Sequence, residues 1–193
     1  WVATASGIDK ILKKSLAKKD SLRIRSVSPG NLLIVRVYDL EFFENLLWAG
    51  TNRGIYVYDI NKNEGGFSEE IEGPTSNVVK SISRFGNELW FGSLEGIDVF
   101  DVRKQKWLGV PKGRAFPSTP INRIFADKKA VWAATDHGVL KYNRKTNAWK
   151  TFTVEDGLID NRVNAILPDG DNIWFGTEGG LTHFHWNSPN RID

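Results

Sequence analysis

A short motif beginning with tryptophan recurs along the chain, and this repetition constrains the fold more than any other feature of the sequence. Five copies begin at positions 1, 48, 90, 132 and 174, so successive tryptophans are separated by 47, 42, 42 and 42 residues. After each Trp, a small residue follows at the second position, Thr or Ser at the third, Gly at the sixth and an aliphatic residue at the seventh. The tenth position is Ile, Tyr or Phe. A fixed period of 20–50 residues indicates stacked structural repeats.

Each repeat is divided into four short segments by turn residues, and the third copy shows this most clearly. Alternating apolar residues and Gly, Asn or charged turns predict strand a at 78–85, strand b at 88–93, strand c at 97–102 and strand d at 106–110. No segment has a clear amphipathic helical period. Four-stranded antiparallel units that repeat every ~42 residues are typical of β-propeller blades, which stack around a common axis.

The sequence therefore predicts an all-β chain, with residues 1–193 forming a single β-propeller domain or a piece of one, with about 4.5 blades. In this interpretation the repeated tryptophans are buried between blades and do not form exposed sugar-binding platforms: Trp48, Trp90, Trp132 and Trp174. The repeated glycines suit a positive φ in the turn between strands b and c: Gly54, Gly96, Gly138 and Gly180. The small residue after each Trp is expected to let neighbouring sheets approach closely.

Counting strands leads to a further expectation about the complete ring. Blade 1 begins inside strand b and blade 5 ends shortly after strand c, which gives 18 strands. The two partial blades cannot complete each other, because together they would duplicate strands. We therefore expect a ring of six to eight blades, or a partner chain that covers the open ends, since bare strand edges and apolar faces promote association.

One segment also resembles a known repeat family. The pattern N-x-V-x-x-I-x-x-D, followed by I-W-F-G-T-x-x-G-L, extends from Asn161 to Leu181 and is similar to the two-component regulator propeller repeat. The Gly-His and Trp-Asp signatures of WD40 repeats are missing, and kelch repeats are longer, at ~50 residues. The resemblance departs at Phe85, where later copies have Asp127 and Asp169, and in the longer first interval. It implies the periplasmic or other extracytoplasmic sensor region of a bacterial two-component protein, which responds to a small-molecule or oligosaccharide ligand.

Polar positions that differ from repeat to repeat are not needed for the scaffold and are therefore candidates for ligand binding. In an antiparallel blade the turns between strands b and c share one end with the crossovers from strand d to the next strand a, and loops on a rigid scaffold commonly carry binding. Polar or aromatic side chains at this end make a candidate ligand-binding face: Arg53, Glu95, His137, Glu178, Arg114, Phe116, Asn161 and Arg162. For any single one of them, simple solvation of a turn residue is the alternative explanation, and it is the favoured one.

The sequence lacks the usual signatures of catalysis. There is no G-x-S-x-G, H-E-x-x-H, Walker or dinucleotide-binding motif, and Cys is absent, so no enzyme activity, cofactor or disulfide is expected. A lyase or glycosidase would need converging carboxylates, which only Glu95, Glu178 and Asp136 could supply beside His137. The pair His183 and His185 lacks a third metal ligand, and the acidic segment 168–172 fits a simple turn, so no metal site is predicted.

Composition limits the partners. The net charge of +3 arises from residues 1–25, so no basic surface extends over the protein and nucleic acid is not an expected partner. No apolar run approaches the ~20 residues that a membrane helix needs. Two classes of function remain open: a ligand-sensing propeller that interacts with other domains of a sensor protein, and a protein–protein interaction scaffold, because fold alone does not determine function.

Overall fold

Five consecutive antiparallel sheets make up the protein in a computed structural model that describes residues 1–11, 24–26, 35–68, 76–109 and 118–185. Within these residues each sheet contains strands that follow one another in the sequence, and no sheet combines strands from the two ends of the chain. The predicted all-β propeller blades are therefore confirmed.

The strands agree closely with the predicted repeat. Blade 1 contains β1 (Val2–Thr4), β2 (Gly7–Ile11) and β3 (Ile24–Ser26). Blade 2 contains β4 (Val37–Phe43), β5 (Leu46–Thr51), β6 (Gly54–Asp59) and β7 (Glu64–Phe67). Blade 3 contains β8 (Val79–Phe85), β9 (Glu88–Ser93), β10 (Ile97–Asp101) and β11 (Lys106–Leu108). Blade 4 contains β12 (Ile121–Ala126), β13 (Ala130–Thr135), β14 (Gly138–Asn143) and β15 (Ala148–Phe152). Blade 5 contains β16 (Val163–Asp169), β17 (Asn172–Thr177) and β18 (Gly180–His185).

The crossover from blade 4 to blade 5 contains a single turn of 3-10 helix at Val154–Asp156, which the sequence did not predict. Thr153 caps it by accepting a hydrogen bond from the Glu155 backbone, and the Asp156 carboxylate accepts one from the Thr153 backbone. This reciprocal pairing satisfies N–H groups that the short turn would otherwise leave free. Among the described residues, no helix has the length and apolar character needed to cross a membrane.

The first strands of successive blades lie side by side, so they are the innermost strands of the propeller. Backbone N–H groups of β12 donate to side chains of β8: Ile124 to Ser81 Oγ at 3.1 Å and Ala126 to Ser83 Oγ at 2.9 Å. Each innermost strand pairs through its backbone with only one strand, so these side chains satisfy part of its other edge.

Glycine in strand b allows this close approach. An ideal Cβ built on Gly92 would lie 2.6 Å from Ile121 Cγ2 of the next blade, and one on Gly50 would lie 2.7 Å from the Val79 carbonyl oxygen. Real Cβ contacts are longer than this, so the predicted need for a small residue is confirmed at both positions. The predicted positive φ is also found at all four turn glycines: Gly54 at 101°, Gly96 at 137°, Gly138 at 110° and Gly180 at 130°.

The repeated tryptophans fill the interfaces between blades. Trp48 lies 6.2 Å, between ring centroids, from Phe91 of blade 3, and Trp132 lies 5.9 Å from Phe175 of blade 5. Trp90 packs against Tyr142 of blade 4. These three tryptophans are at most 3% exposed, so the predicted burial is confirmed for them.

The prediction of a buried tryptophan is wrong for Trp174, which is only half-buried. It belongs to the face of blade 5 that points away from blade 4. On the same face Leu181 is 70% exposed, whereas the equivalent Val139 and Ile97 are 0% and 4% exposed. The motif is the same in both places, but among the described residues no following blade covers this face. The opposite end behaves alike, because Val2 is 39% exposed while its equivalent Phe91 is fully buried.

Candidate ligand-binding face

The turns between strands b and c lie at one end of the blades, together with the crossover from blade 4 to blade 5. The Gly138 N–H donates to the Asn161 carbonyl at 2.7 Å, and the Ile159 N–H donates to Thr182 Oγ1 at 3.0 Å. The crossover thus touches the turn region of blades 4 and 5. This end is called the ligand-binding face below and comprises residues 52–54, 94–96, 136–138, 159–162 and 178–180.

The hydroxyl three positions after each Trp fixes the shape of these turns. Thr51 Oγ1 donates to the Gly54 carbonyl at 2.8 Å and accepts the Arg53 N–H at 2.9 Å. Ser93 and Thr135 bond in the same way to their own turns. The repeated Thr or Ser is therefore structural, and the residue just before the glycine is left exposed in each of these turns: Arg53, Glu95 and His137.

Arg162 and Glu178 are the predicted site residues that the structure brings together. Arg162 Nη1 lies 3.0 Å from Glu178 Oε2, and both side chains are more than half exposed. The bond to Glu178 raises the pKa of Arg162 above its usual value, and the negative charge of Asp136 adds to the effect. Asn161 has a structural role here, because its Oδ1 accepts the Val154 N–H at 2.9 Å.

The other predicted residues remain separate. Arg53 stacks on Phe67 of its own blade, with the guanidinium carbon 5.0 Å from the ring centroid. Among the described residues no hydrogen bond or ion pair joins the side chains of Arg53, Glu95 and His137. Arg114 and Phe116 lie outside the described residues. The candidate face is therefore a set of exposed turns. Arg162 and Glu178 are the two predicted residues on it whose side chains contact each other.

Sequence comparison of the turns missed a polar chain on the innermost strands. Lys80 of blade 3 donates from Nζ to Asn122 Oδ1 of blade 4 at 3.2 Å. Asn122 Nδ2 donates to Asp136 Oδ1 at 2.8 Å and to the Val163 carbonyl of blade 5 at 3.1 Å. This Lys80–Asn122–Asp136 chain connects three blades at the ligand-binding face and lies close to Arg162.

The repeat contains a sequence signal from which the Lys80–Asn122 contact could have been predicted. The innermost strands share a bulge ten residues before each Trp, and the residues there are Tyr38, Lys80, Asn122 and Asn164. A bulge leaves an extra residue unpaired and redirects its side chain. The position is polar and differs from blade to blade, so the test applied to the turns would also have selected it.

A second network joins the innermost strands one residue further on. The Asp39 carboxylate accepts hydrogen bonds from Ser81 Oγ at 3.0 Å and from the Ile82 N–H at 2.9 Å. Arg123 of blade 4 reaches across blade 3 and places Nη1 2.7 Å from Asp39 Oδ2. Asp39 is mostly buried, so this charge-assisted contact holds blades 2, 3 and 4 in one arrangement.

Glu41, on the same innermost strand of blade 2, is a carboxyl whose pKa is raised by burial. Its carboxylate accepts backbone hydrogen bonds from Phe42 and Arg84, but loss of solvent outweighs them and raises the pKa of Glu41 above its usual 4.5. Its bond to the Arg84 backbone parallels that of Ser83 to Ala126 in the next blade. Glu41 therefore supports the packing between blades 2 and 3.

The side chains considered for metal binding do not converge on one point. His183 stacks on Trp174 with ring centroids 4.1 Å apart, and the His185 ring contacts the Asn172 amide oxygen. Asp169 is the last residue of β16, and Asp171 lies in the turn that leads to β17. In the described part of the chain, no three His, Asp or Glu side chains are placed to hold a metal ion.

Comparison with known proteins supports the reading of the repeat. The family model described as "Two component regulator propeller" matches residues 157–179. This segment is therefore similar to a two component regulator propeller repeat. The matched segment covers the end of the crossover, β16 and β17, and it includes Arg162 and Glu178 on the ligand-binding face. No curated protein matches the chain by sequence.

Solved structures share the fold. The extracellular domain of a one component system, BT4673 from B. thetaiotaomicron, has a TM-score of 0.76 and 22% identity over 95% of this chain. A second structure, of the extracellular domain of the hybrid two component system BT4673, has a TM-score of 0.66 and 22% identity over 83% of the chain. The chain spans 24% and 22% of the length of these two proteins. The WD40 repeats of RRP9, at 14% identity over 96% of this chain and 56% of that protein, have a TM-score of 0.68.

Proposed function

We propose that this chain is part of a two-component sensor propeller that lies outside the cytoplasmic membrane and binds a small-molecule or oligosaccharide ligand without catalysing a reaction. The match of the fifth repeat and the likeness to extracellular domains of BT4673 support the class of protein. The Lys80–Asn122–Asp136 chain carries the assignment of the site, because it places polar side chains of blades 3 and 4 together on one face.

The chemistry of the hydrogen-bonded side chains Lys80, Asn122 and Asp136 suits a ligand rich in oxygen atoms. Lys80 has further N–H donors beyond the one given to Asn122, and Arg162 and Asp136 lie close by. A hydroxyl or carbonyl oxygen that replaced Asn122 as a partner of Lys80 would alter a contact between blades 3 and 4. Binding could then bias how the blades pack, which is how a sensor passes a signal to other domains.

The interaction with other domains is proposed on a different observation. Trp174 and Leu181 expose on blade 5 the positions that are buried between blades elsewhere, and such an apolar face favours a protein partner. We keep the prediction that a further blade covers it in a ring of six to eight blades. Solution scattering of the purified protein tests it, since a closed monomeric five-blade particle would contradict it.

The ligand-binding proposal is tested by screening the purified protein against an array of oligosaccharides and measuring the affinity of each hit. Lys80→Ala is expected to weaken binding at least tenfold, which corresponds to ~1.4 kcal/mol. Lys145→Ala removes the same charge at the other end of blade 4 and should leave affinity unchanged.

The turn residues that the sequence predicts to bind the ligand are tested in the same assay. The quadruple change Arg53→Ala, Glu95→Ala, His137→Ala and Glu178→Ala should also reduce affinity if the turns contact the ligand. Unchanged affinity in both the Lys80 variant and the quadruple variant, with folding shown by circular dichroism, would exclude this face as the site. An array without any hit would refute the oligosaccharide class.

A further inference from the structure

A cleft of about 170 Å³ lies between blades 3 and 4 at the end of the blades opposite the ligand-binding face. Its lining is formed by Glu88, Trp90, Val99, Leu108, Gly109, Tyr142, Arg144 and Asn147. Gly109 and Asn147 are exposed at the rim, and Trp90 and Tyr142 are buried in the walls. The cleft is smaller than the 300–1,000 Å³ typical of pockets for drug-sized ligands, so it suits one ring or a group of similar size.

Arg144 is held rigidly beside this cleft. Its Nη1 lies 2.9 Å from Glu88 Oε2, and its Nε donates to the Asp127 carbonyl at 2.8 Å. The guanidinium also stacks on Phe85 and Trp90, at 4.7 and 5.2 Å from the ring centroids. Such a fixed guanidinium presents its remaining N–H groups in one direction.

Arg144 Nη2 is buried from solvent and has no acceptor in the described part of the chain. Leaving a buried donor without a partner is costly, and native structures contain few examples. Glu88 has an unpartnered acceptor in the same way. Its Oε2 accepts hydrogen bonds from both Trp90 and Arg144, while no described residue donates to Oε1. The Arg144–Glu88 pair that lines the cleft thus has one donor nitrogen and one acceptor oxygen without a partner among the described residues.

The neighbouring interface shows that the fold does not require this pair. Leu46 and Val102 occupy the equivalent repeat positions between blades 2 and 3, and both belong to one apolar cluster there. Burying an ion pair in place of such a contact brings little or no stability. The polar pair is therefore a local departure from the repeat, and it coincides with the cleft.

We infer that this cleft binds a small uncharged ligand that carries an acceptor oxygen next to a donor hydrogen, as a primary amide or a pair of sugar hydroxyls does. The acceptor oxygen bonds the Arg144 guanidinium, the donor bonds Glu88 Oε1, and the body of the ligand contacts Val99 and Leu108. A carboxylate is disfavoured, because Glu88 already neutralises Arg144 and would repel a second negative charge. This site is separate from the ligand-binding face and does not depend on the function proposed there.

The experiment titrates the purified protein with benzamide, methyl α-glucopyranoside and benzoate, with binding followed by saturation-transfer NMR. At least one of the two uncharged probes is expected to bind, and benzoate at least tenfold more weakly than that probe. The double variant Glu88→Leu with Arg144→Val recreates the residues of the blade 2–3 interface and should fold but lose binding. Lys145→Ala, an exposed neighbour on the same turn, should bind as the unmodified protein does.

A third variant keeps the proposal testable if the double variant does not fold. Arg144→Lys retains the charge beside Glu88 but removes the guanidinium fork, so affinity should fall at least tenfold. The inference is overturned if no probe binds at ~10 mM, if benzoate binds as tightly as the uncharged probes, or if binding persists in a folded double variant or in Arg144→Lys.

Discussion

Replacing Trp132 and Trp174 by alanine, one at a time, compares the same repeat position in two environments. Trp132 is fully buried, with Phe152 and Phe175 each 5.9 Å away between ring centroids. Truncating a buried Trp typically costs ~3–5 kcal/mol. Since ~1 kcal/mol shifts the melting temperature of a domain of this size by ~2–4 °C, Trp132→Ala should lower it by ~6–20 °C.

Trp174 provides the matched control. It is half-buried and makes its ring contact with His183 of its own blade, so alanine removes less buried surface and less packing. Complete burial of a large apolar side chain contributes ~1.5–3 kcal/mol, so Trp174→Ala should cost less than that, ~1–2 kcal/mol.

The assay is urea unfolding followed by far-ultraviolet circular dichroism, with the free energy of unfolding extrapolated to water for each variant. A loss below ~1 kcal/mol for Trp132→Ala would refute the argument that this tryptophan column forms the core between blades. Equal losses for the two variants would show that another blade or a partner covers Trp174 in solution.

Two further predictions concern the packing of blades 2 to 4. Gly92→Ala should destabilise the protein by ~1–3 kcal/mol in urea unfolding, because the new Cβ would meet Ile121, whereas Gly66→Ala enters open space and should change stability by no more than ~0.5 kcal/mol; equal effects would contradict the close approach of the sheets. Glu41→Gln should raise the melting temperature at pH 7, because the pKa of Glu41 is raised in the folded state and its favourable effect is lost as pH rises through that value. The gain should shrink as pH falls towards 4, where the wild-type carboxyl is protonated, and a lower melting temperature at pH 7 would refute the reasoning.

Much of the fold could be predicted because each blade repeats the same local sequence pattern of alternating apolar residues and turn residues. Strand b at 88–93 was predicted to the residue, and strand c differed at one end only, since alternation and turn glycines specify short strands locally. The hydroxyl and glycine of each turn act within a few residues of one another, as Thr51 and Gly54 show. Such contacts can be read from sequence.

The site could be predicted only in part. The exposed positions before each turn glycine were correctly placed at one end, and the contact between Arg162 and Glu178 follows from that placement. The Lys80–Asn122 contact joins residues of different blades, and its geometry depends on a bulge in each innermost strand. Sequence reasoning limited to the turns therefore missed it.

The sequence by itself determined the repeat, the strands within it and the residues that shape each turn, because these depend on neighbours along the chain. The tertiary structure alone decided which side chains meet across blades. Asp39 and Arg123, one on blade 2 and the other on blade 4, form an ion pair because the innermost strands converge on one axis. Trp132 and Trp174 have the same motif, yet one is buried and the other is half-buried, because burial depends on what packs against a residue.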